Sequence, residues 1–466
     1  MSPLPHLRFL STKALSRRPF VLAALAALAP LFGCLAIASP ALANGRYPAA
    51  GQIVVAPTDP DHIVVRATYG AITSRDAGQS WGWICEGAIG YGGIEDPMMG
   101  ITADGTLLAG IFNGLSISRD SGCSWAFAGG DLTKRYVTDL SVEKGDPSRA
   151  VLIVSNGVGP SEFLTQLWES PDNGLTWTQA GVDLPSSFLG LTVDVAPSDP
   201  QRVYVSGRYG PADQYLGAIQ RSTDRGASWQ SLSVPGSDDT HLPYLSAVDP
   251  NNPDILYVRL DGDPVDILLV SKDGGDTFTN AFESTGNLFG FALSPDGSTV
   301  FVGGSKDGLW RAPTSKLAFE KVSEVNVRCL TATDTLLYAC GDEFTDGFTI
   351  GVSTTQGSTW TPLMHLASPC GPLACGEKTS VREQCEAAWG ATQLTLGAET
   401  CESDAGPTSP TPTPTPTPDG CGCRAAPTAG TGALIGAAVG VVLASWRRRV
   451  RRRPSKRARI TAELNR

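Results

Sequence analysis

The 466-residue chain is poor in the side chains that most often bind metal, with four histidines in all. No cysteine has a histidine at ligand spacing, which argues against a zinc site. Basic residues are scarce in the body of the chain. Residues 44–423 hold 21 Lys and Arg against 45 Asp and Glu, a formal charge of −24, whereas the whole chain carries −10. So acidic a body argues against nucleic acid and anionic membrane surfaces as partners, because both would repel it. It fits a solvated extracellular surface.

The basic residues are concentrated at the two ends. Arg17 and Arg18 precede an apolar run over residues 20–38 and the small-residue site Ala41-Leu42-Ala43, so residues 1–43 read as a secretory signal. Residues 16–22 also resemble a twin-arginine motif, and the choice between Sec and Tat export stays open. At the other end a Pro/Thr tract within residues 406–420 forms an extended stalk that cannot pack a core. Cys421-Gly422-Cys423, an apolar segment over residues 429–446 and an arginine block over 447–453 follow. The apolar segment would rise about 27 Å as a helix, enough to span a bilayer with the arginines held cytoplasmic. Together, residues 421–466 and their stalk resemble the C-terminal sorting signal of myxobacterial surface proteins. The resemblance implies processing at Cys421 or Cys423, retention at the cell surface, and export and sorting machinery as partners. A plain single-pass anchor gives the same topology.

What the body does contain is a repeat. The octet Ser222-Thr223-Asp224-Arg225-Gly226-Ala227-Ser228-Trp229 recurs over residues 74–81, 118–125, 170–177, 271–278 and, degenerately, 353–360. Its aspartates are Asp76, Asp120, Asp172, Asp224 and Asp273, with Thr355 in the equivalent place of the last copy. Each part suits a tight turn. The carboxylate accepts from the turn's own amides, the glycine supplies a positive φ, and the hydroxyl adds a further bond. The closing aromatic fills space between neighbouring sheets. Between the octets run short stretches of Val, Ile, Leu and Tyr broken by Gly, Pro, Asp and Asn turns, four per unit. A unit without an octet, around residues 289–311, brings the count to seven.

This pattern resembles the Asp-box, or bacterial neuraminidase repeat, of sialidases, sortilin-type receptors, some glycoside hydrolases and the photosystem assembly factor family. The resemblance implies an all-β, seven-bladed β-propeller of four-stranded antiparallel blades over residues 44–366. The boxes would join third and fourth strands on the face opposite any active site, their aspartates acting as turn caps.

Eight cysteines lie in the exported body outside the sorting tail, which points to disulfides. Cys329 and Cys340 flank a hairpin turn, Cys85 and Cys123 lie near the first two boxes, and Cys370, Cys375, Cys385 and Cys401 form a local cluster. Their connectivity stays open. Ser380 and Glu383 form a capping box, so a short helix to about Trp389 is expected in a Cys-rich appendage over residues 367–405.

Ligand sites belong on the face opposite the boxes, where loops are free to vary. The candidates there are Arg66, Tyr69, Asp96, Arg208, Tyr209, Tyr215, Arg259 and Asp263. The sialidase resemblance implies three arginines gripping a carboxylate, which Arg66, Arg208 and Arg259 would supply. The sialidase Tyr/Phe-Arg-Ile-Pro motif is absent, however, and Val65-Arg66-Ala67-Thr68 stands in its place. A glycosidase needs paired carboxylates, for which Asp96 and Asp263 are candidates. Residues 261–266 offer oxygen ligands to calcium, and no other cofactor is indicated. The sequence therefore reads as a surface-anchored binding module for a glycan, peptide or envelope protein, without catalysis. The alternatives are a sialidase-like or other glycoside hydrolase, and an assembly factor for a membrane complex.

Overall fold

The computed structural model describes residues 46–399 apart from 211–213, 239 and 263–264. The signal segment, the stalk, Cys401, Cys421, Cys423 and the apolar stretch at 429–446 lie outside the described residues. Among those described, no helix is long and apolar enough to cross a membrane. The fold is a seven-bladed β-propeller. Seven separate four-stranded sheets each use four consecutive strands in meander order, as in blade 1 with Ala50–Val55, Ile63–Ala67, Gly70–Ser74 and Gly82–Ile84. The unit without a box is blade 6, with strands Gly290–Leu293, Thr299–Gly304, Gly308–Pro313 and Glu320–Ser323.

Burial follows from stacking blade on blade. Second strands such as Leu107–Ile111 are covered on both faces and read as apolar runs; in Ile63–Ala67 the run is interrupted by Arg66. Fourth strands such as Thr178–Gln179 lie at the rim and are exposed. The box aromatics sit between blades: Trp177 packs against a cluster that includes Leu108 and Leu115 of blade 2, and Trp360 against one that includes Phe301 and Leu309 of blade 6.

Each box is a closed hydrogen-bonded turn. In blade 4 the Ser228 amide and hydroxyl donate to Asp224 at 2.8 and 2.6 Å, Ser222 Oγ donates to Asp224 at 2.8 Å, and the buried Gly226 amide donates to Ser222 Oγ at 2.7 Å. Blades 1, 3 and 5 repeat this arrangement around Asp76, Asp172 and Asp273, and in blade 2 Asp120 accepts from the Ser124 amide at 2.7 Å. In blade 7 the hydroxyl of Thr355 replaces the carboxylate, accepting from the Thr359 amide at 2.9 Å. Two successive residues are left-handed, Arg225 (φ 54°) and Gly226 (φ 88°), where one was expected. These bonds hold the carboxylates below the usual range; Thr277, through its hydroxyl and then its amide, lowers Asp273 to about 2.

Side chains stitch the inner strands of successive blades together. Gln52 exchanges bonds with the Met99 backbone at 2.9 and 3.0 Å, Asp139 accepts from the Val193 amide at 2.8 Å, and Thr331 of blade 7 donates to Ile53 O of blade 1 at 2.7 Å. Asp139 is buried in an apolar setting that pushes its carboxyl up to about 7.

The C-terminal appendage departs from expectation in two ways. Its helix runs over Ser380–Leu396, with Thr379 as N-cap accepting from the Arg382 amide. Ser380 is not the cap because its hydroxyl is used for docking, accepting from the Trp125 amide at 3.1 Å and donating to Cys123 O at 3.3 Å. The helix passes Trp389 because nothing breaks it before Gly397, which is left-handed. Two of the clustered cysteines pair with the propeller. Cys85 pairs with Cys385 and Cys123 with Cys375, while Cys329–Cys340 joins adjacent strands of blade 7. Cys370 is disulfide-bonded as well. Ahead of the helix, residues 371–373 add to the free edge of blade 1, with Trp83 N donating to Gly371 O at 3.0 Å and Leu373 N to Trp83 O at 2.8 Å. The chain thus leaves blade 7 and is bolted across blades 1 and 2.

Candidate functional site

Because box turns join strands three and four, the turns joining strands two and three, and the links between blades, lie at the opposite end of every sheet. That end holds a central funnel of about 700 Å³. Its walls include Arg66 from blade 1, Tyr244 and Arg259 from blade 5, Phe289 and Phe291 from blade 6, and Arg328 from the link into blade 7. Among the described residues, none that lines it is Asp or Glu.

Each arginine is braced from behind. Arg66 donates to Gly51 O at 2.8 Å and Asp96 O at 3.1 Å, and its buried Nε has no partner among the described residues. A Cβ at Gly51 would fall 2.9 Å from the Arg66 Nη2, so the glycine makes room for this guanidinium. Arg259 Nη1 donates to Leu288 O at 3.1 Å and to the fully buried Asp266 at 3.3 Å, lies 3.6 Å from Asp261, and its guanidinium sits 4.9 Å over the Tyr244 ring. Arg328 Nη2 donates to Asp342 at 2.7 Å.

Two carboxylates beside these arginines are pushed in opposite directions. Burial, aided by Asp266, raises Asp261, with Arg259 and His241 acting against it. Burial would also raise Asp342, but the amides of Thr345 and Phe344, the Thr345 hydroxyl and Arg328 together hold it below the usual range.

Of the residues singled out from sequence, Arg66 and Arg259 meet at the funnel. Arg208 does not line it; its guanidinium stacks 3.4 Å over Tyr215. Tyr209 turns along blade 4, packing on Phe188 and bonding to Gln220 at 2.6 Å, because its ring completes the interior of that blade. Tyr69 packs against the core of blades 1 and 2, and burial raises its hydroxyl pKa. Asp96 is salt-bridged to Arg46 at 2.8 Å, and Asp263 lies outside the described residues. Both oxygens of Asp266 are taken by protein donors, the amides of Gly262 and Leu288 and Arg259. The arginine trio at the funnel is therefore Arg66, Arg259 and Arg328. Arg328 went unrecognised because it sits in an interblade link; its position one residue before the inner strand Cys329–Ala332 was the available signal.

Around the funnel the same end carries exposed aromatic faces. Phe112 stacks on Tyr136 at 4.3 Å with planes 15° apart, and Tyr47 meets Phe344 at 6.3 Å. Phe112, Phe289 and Phe344 are about half exposed or more.

No family model matches the chain. A xyloglucanase of Hypocrea jecorina (strain QM6a) is 29% identical over 206 residues, which is 41% of this chain and 22% of the relative. A xyloglucanase of Paenibacillus sp is 41% identical over 88 residues, 17% of this chain and 8% of the relative. The chain thus spans less than a quarter of the length of these curated relatives. Among solved structures, an ancestral GH74 enzyme superposes with a TM-score of 0.46 at 17% identity, covering 68% of this chain and 45% of that one. The expectation of a binding module without catalysis is overturned here, because the curated relatives are enzymes.

Proposed function

We propose that the chain is a glycoside hydrolase whose substrate, a polysaccharide, binds across the loop-face funnel. The observation that carries this reading is the 206-residue similarity to a xyloglucanase. The funnel supports it with aromatic faces on which the C–H faces of sugar rings can stack, and with polar groups to orient them. Glycosidic cleavage needs one carboxylic acid to protonate the leaving oxygen and one carboxylate to attack or to activate water. No Asp or Glu is among the described residues that line the funnel, so neither role is assigned to a described carboxylate.

The test is reducing-sugar release from xyloglucan and a panel of other polysaccharides by the intact chain. Turnover is expected on at least one of them. Absence of turnover across the panel refutes the reading.

A further inference from the structure

We infer that the Cys85–Cys385 bridge positions one wall of the funnel, so that the C-terminal appendage holds the loop-face site in shape as well as closing the ring. The effect on a ligand rests on the proposed glycan site; the placement of the wall does not. Two bridges fasten the appendage to the propeller, and they act at opposite ends of it. Cys123 lies inside the box of blade 2. Cys85 follows the outer strand Gly82–Ile84 and is the N-cap of a one-turn helix, Glu86–Ile89, which opens the link into blade 2 on the loop face.

That link ends on the funnel. The Asp96 carbonyl accepts from Arg66 at 3.1 Å, one of the two bonds to backbone carbonyls that fix this guanidinium. The Glu95 carboxylate accepts from the amide of Phe112, whose ring is stacked on Tyr136, and Met98 in the next strand lines the cavity. Between its two ends the link has little support of its own. Gly92 and Gly93 are exposed, with no atom near the place a Cβ would take, and Ile94 is exposed as well. Among the described residues no backbone-to-backbone hydrogen bond reaches residues 92–96. A segment with so few bonds and contacts takes its position from its ends. At the funnel end the holds are Arg66, Phe112 and the salt bridge from Arg46 to Asp96 at 2.8 Å. The other end is held by the short helix, whose Ile89 carbonyl accepts from Ser116 Oγ at 2.6 Å. A Cβ on Gly87 would lie 2.8 Å from the Gln384 side chain, so this helix is seated directly against the long one that carries Cys385. One turn is too short to persist without such packing, and the bridge is what keeps the two helices together.

Hydrogen–deuterium exchange of the intact chain tests this in two matched variants. Cys85→Ser/Cys385→Ser and Cys123→Ser/Cys375→Ser each remove one bridge of the same appendage, closing loops of 300 and 252 residues. Amides of residues 86–96 and of Phe112 are expected to exchange about tenfold faster in the first variant and to stay within about twofold of the wild type in the second. Calorimetric titration with a xyloglucan oligosaccharide is expected to show affinity weakened about threefold to tenfold in the first variant alone, because a wall no longer held in place must be ordered on binding. Should the first variant not fold, Gly87→Leu wedges the short helix off Gln384 with both bridges intact, and is expected to speed exchange over the same residues. Exchange unchanged in Cys85→Ser/Cys385→Ser and in Gly87→Leu, or raised equally in both bridge variants, overturns the inference. A wild type that binds no oligosaccharide sinks the glycan-site reading and leaves the exchange result to decide this one.

Discussion

The disulfides that bolt the C-terminal segment across blades 1 and 2 should carry a large share of the stability of the ring. No strand is exchanged between blades, so the junction of blades 7 and 1 rests on packing, on the bond from Thr331 to Ile53 O, and on this clasp. Cys85–Cys385 closes a loop of 300 residues and Cys123–Cys375 one of 252. In the chain-entropy account the large loop contributes about 5–6 kcal/mol. The two separations differ by 48 residues, which is the extra loop that a second bridge closes once the first exists; that term is about 4 kcal/mol. Removing either bridge alone should therefore cost about 4 kcal/mol, since the survivor still closes the large ring, and removing both about 10 kcal/mol. With an unfolding entropy of about 2.1 cal/mol/K per residue over roughly 350 residues, these become falls in Tm of about 6 and 14 °C. The assay is scanning calorimetry of Cys85→Ser/Cys385→Ser, of Cys123→Ser/Cys375→Ser and of the fourfold variant. A fourfold variant melting within a degree or two of the wild type would refute the reasoning, because the clasp would then be an ornament on a ring closed by packing alone.

Asp139 makes stability depend on pH. The folded chain keeps this proton up to about pH 7, whereas an unfolded aspartate releases it near pH 3.8. The contribution is fully present below pH 3.8 and is lost as pH rises through 7, by at most about 4 kcal/mol. Asp139→Asn keeps an acceptor for the Val193 amide and should flatten that dependence; a variant whose unfolding free energy changes between pH 4.5 and pH 8 as much as the wild type's would contradict it. Ser222→Ala strands the buried Gly226 amide and removes a donor to Asp224, so it should cost about 1–3 kcal/mol by denaturant melt with no change in ligand binding at the opposite face. A loss of binding would mean that the two faces are coupled.

The shape was legible in the sequence because the box is a local device. Ser222, Asp224, Gly226 and Ser228 bond among themselves within seven residues, so the spacing of residue types already contains the geometry. Even the degenerate copy survives, since Thr355 still offers an oxygen where the carboxylate would be. Blade 6 could be counted without a box because its inner strands keep the alternation of apolar runs and turns. The appendage was half legible. Cys329 and Cys340 face each other across one hairpin, but the partners of Cys385 and Cys375 lie 300 and 252 residues away, and nothing local announces them. The helix cap shifted by one residue for a similar reason, as Ser380 answers to Cys123 and Trp125 rather than to its own first turn.

The funnel was the least legible part, for a geometric reason. A propeller brings to its axis residues spread over the whole chain, here Arg66, Arg259 and Arg328, with no common spacing. Arg208 and Tyr209 occupy the same sequence context in blade 4 as Arg66 does in blade 1, yet Arg208 stacks on Tyr215 and Tyr209 turns to Gln220. The difference lies in what stands beside each arginine. Gly51 leaves space for the Arg66 guanidinium against the backbone of blade 1, while the register partner of Arg208 is Leu189, and its loop supplies Tyr215 as an alternative platform. A substitution at Gly51 should therefore reach the site through Arg66: Gly51→Val would push Nη2 out of its place and leave the fold's box turns untouched. If that variant bound glycan at the funnel as the wild type does, the space that Gly51 leaves for Arg66 would play no part in the site.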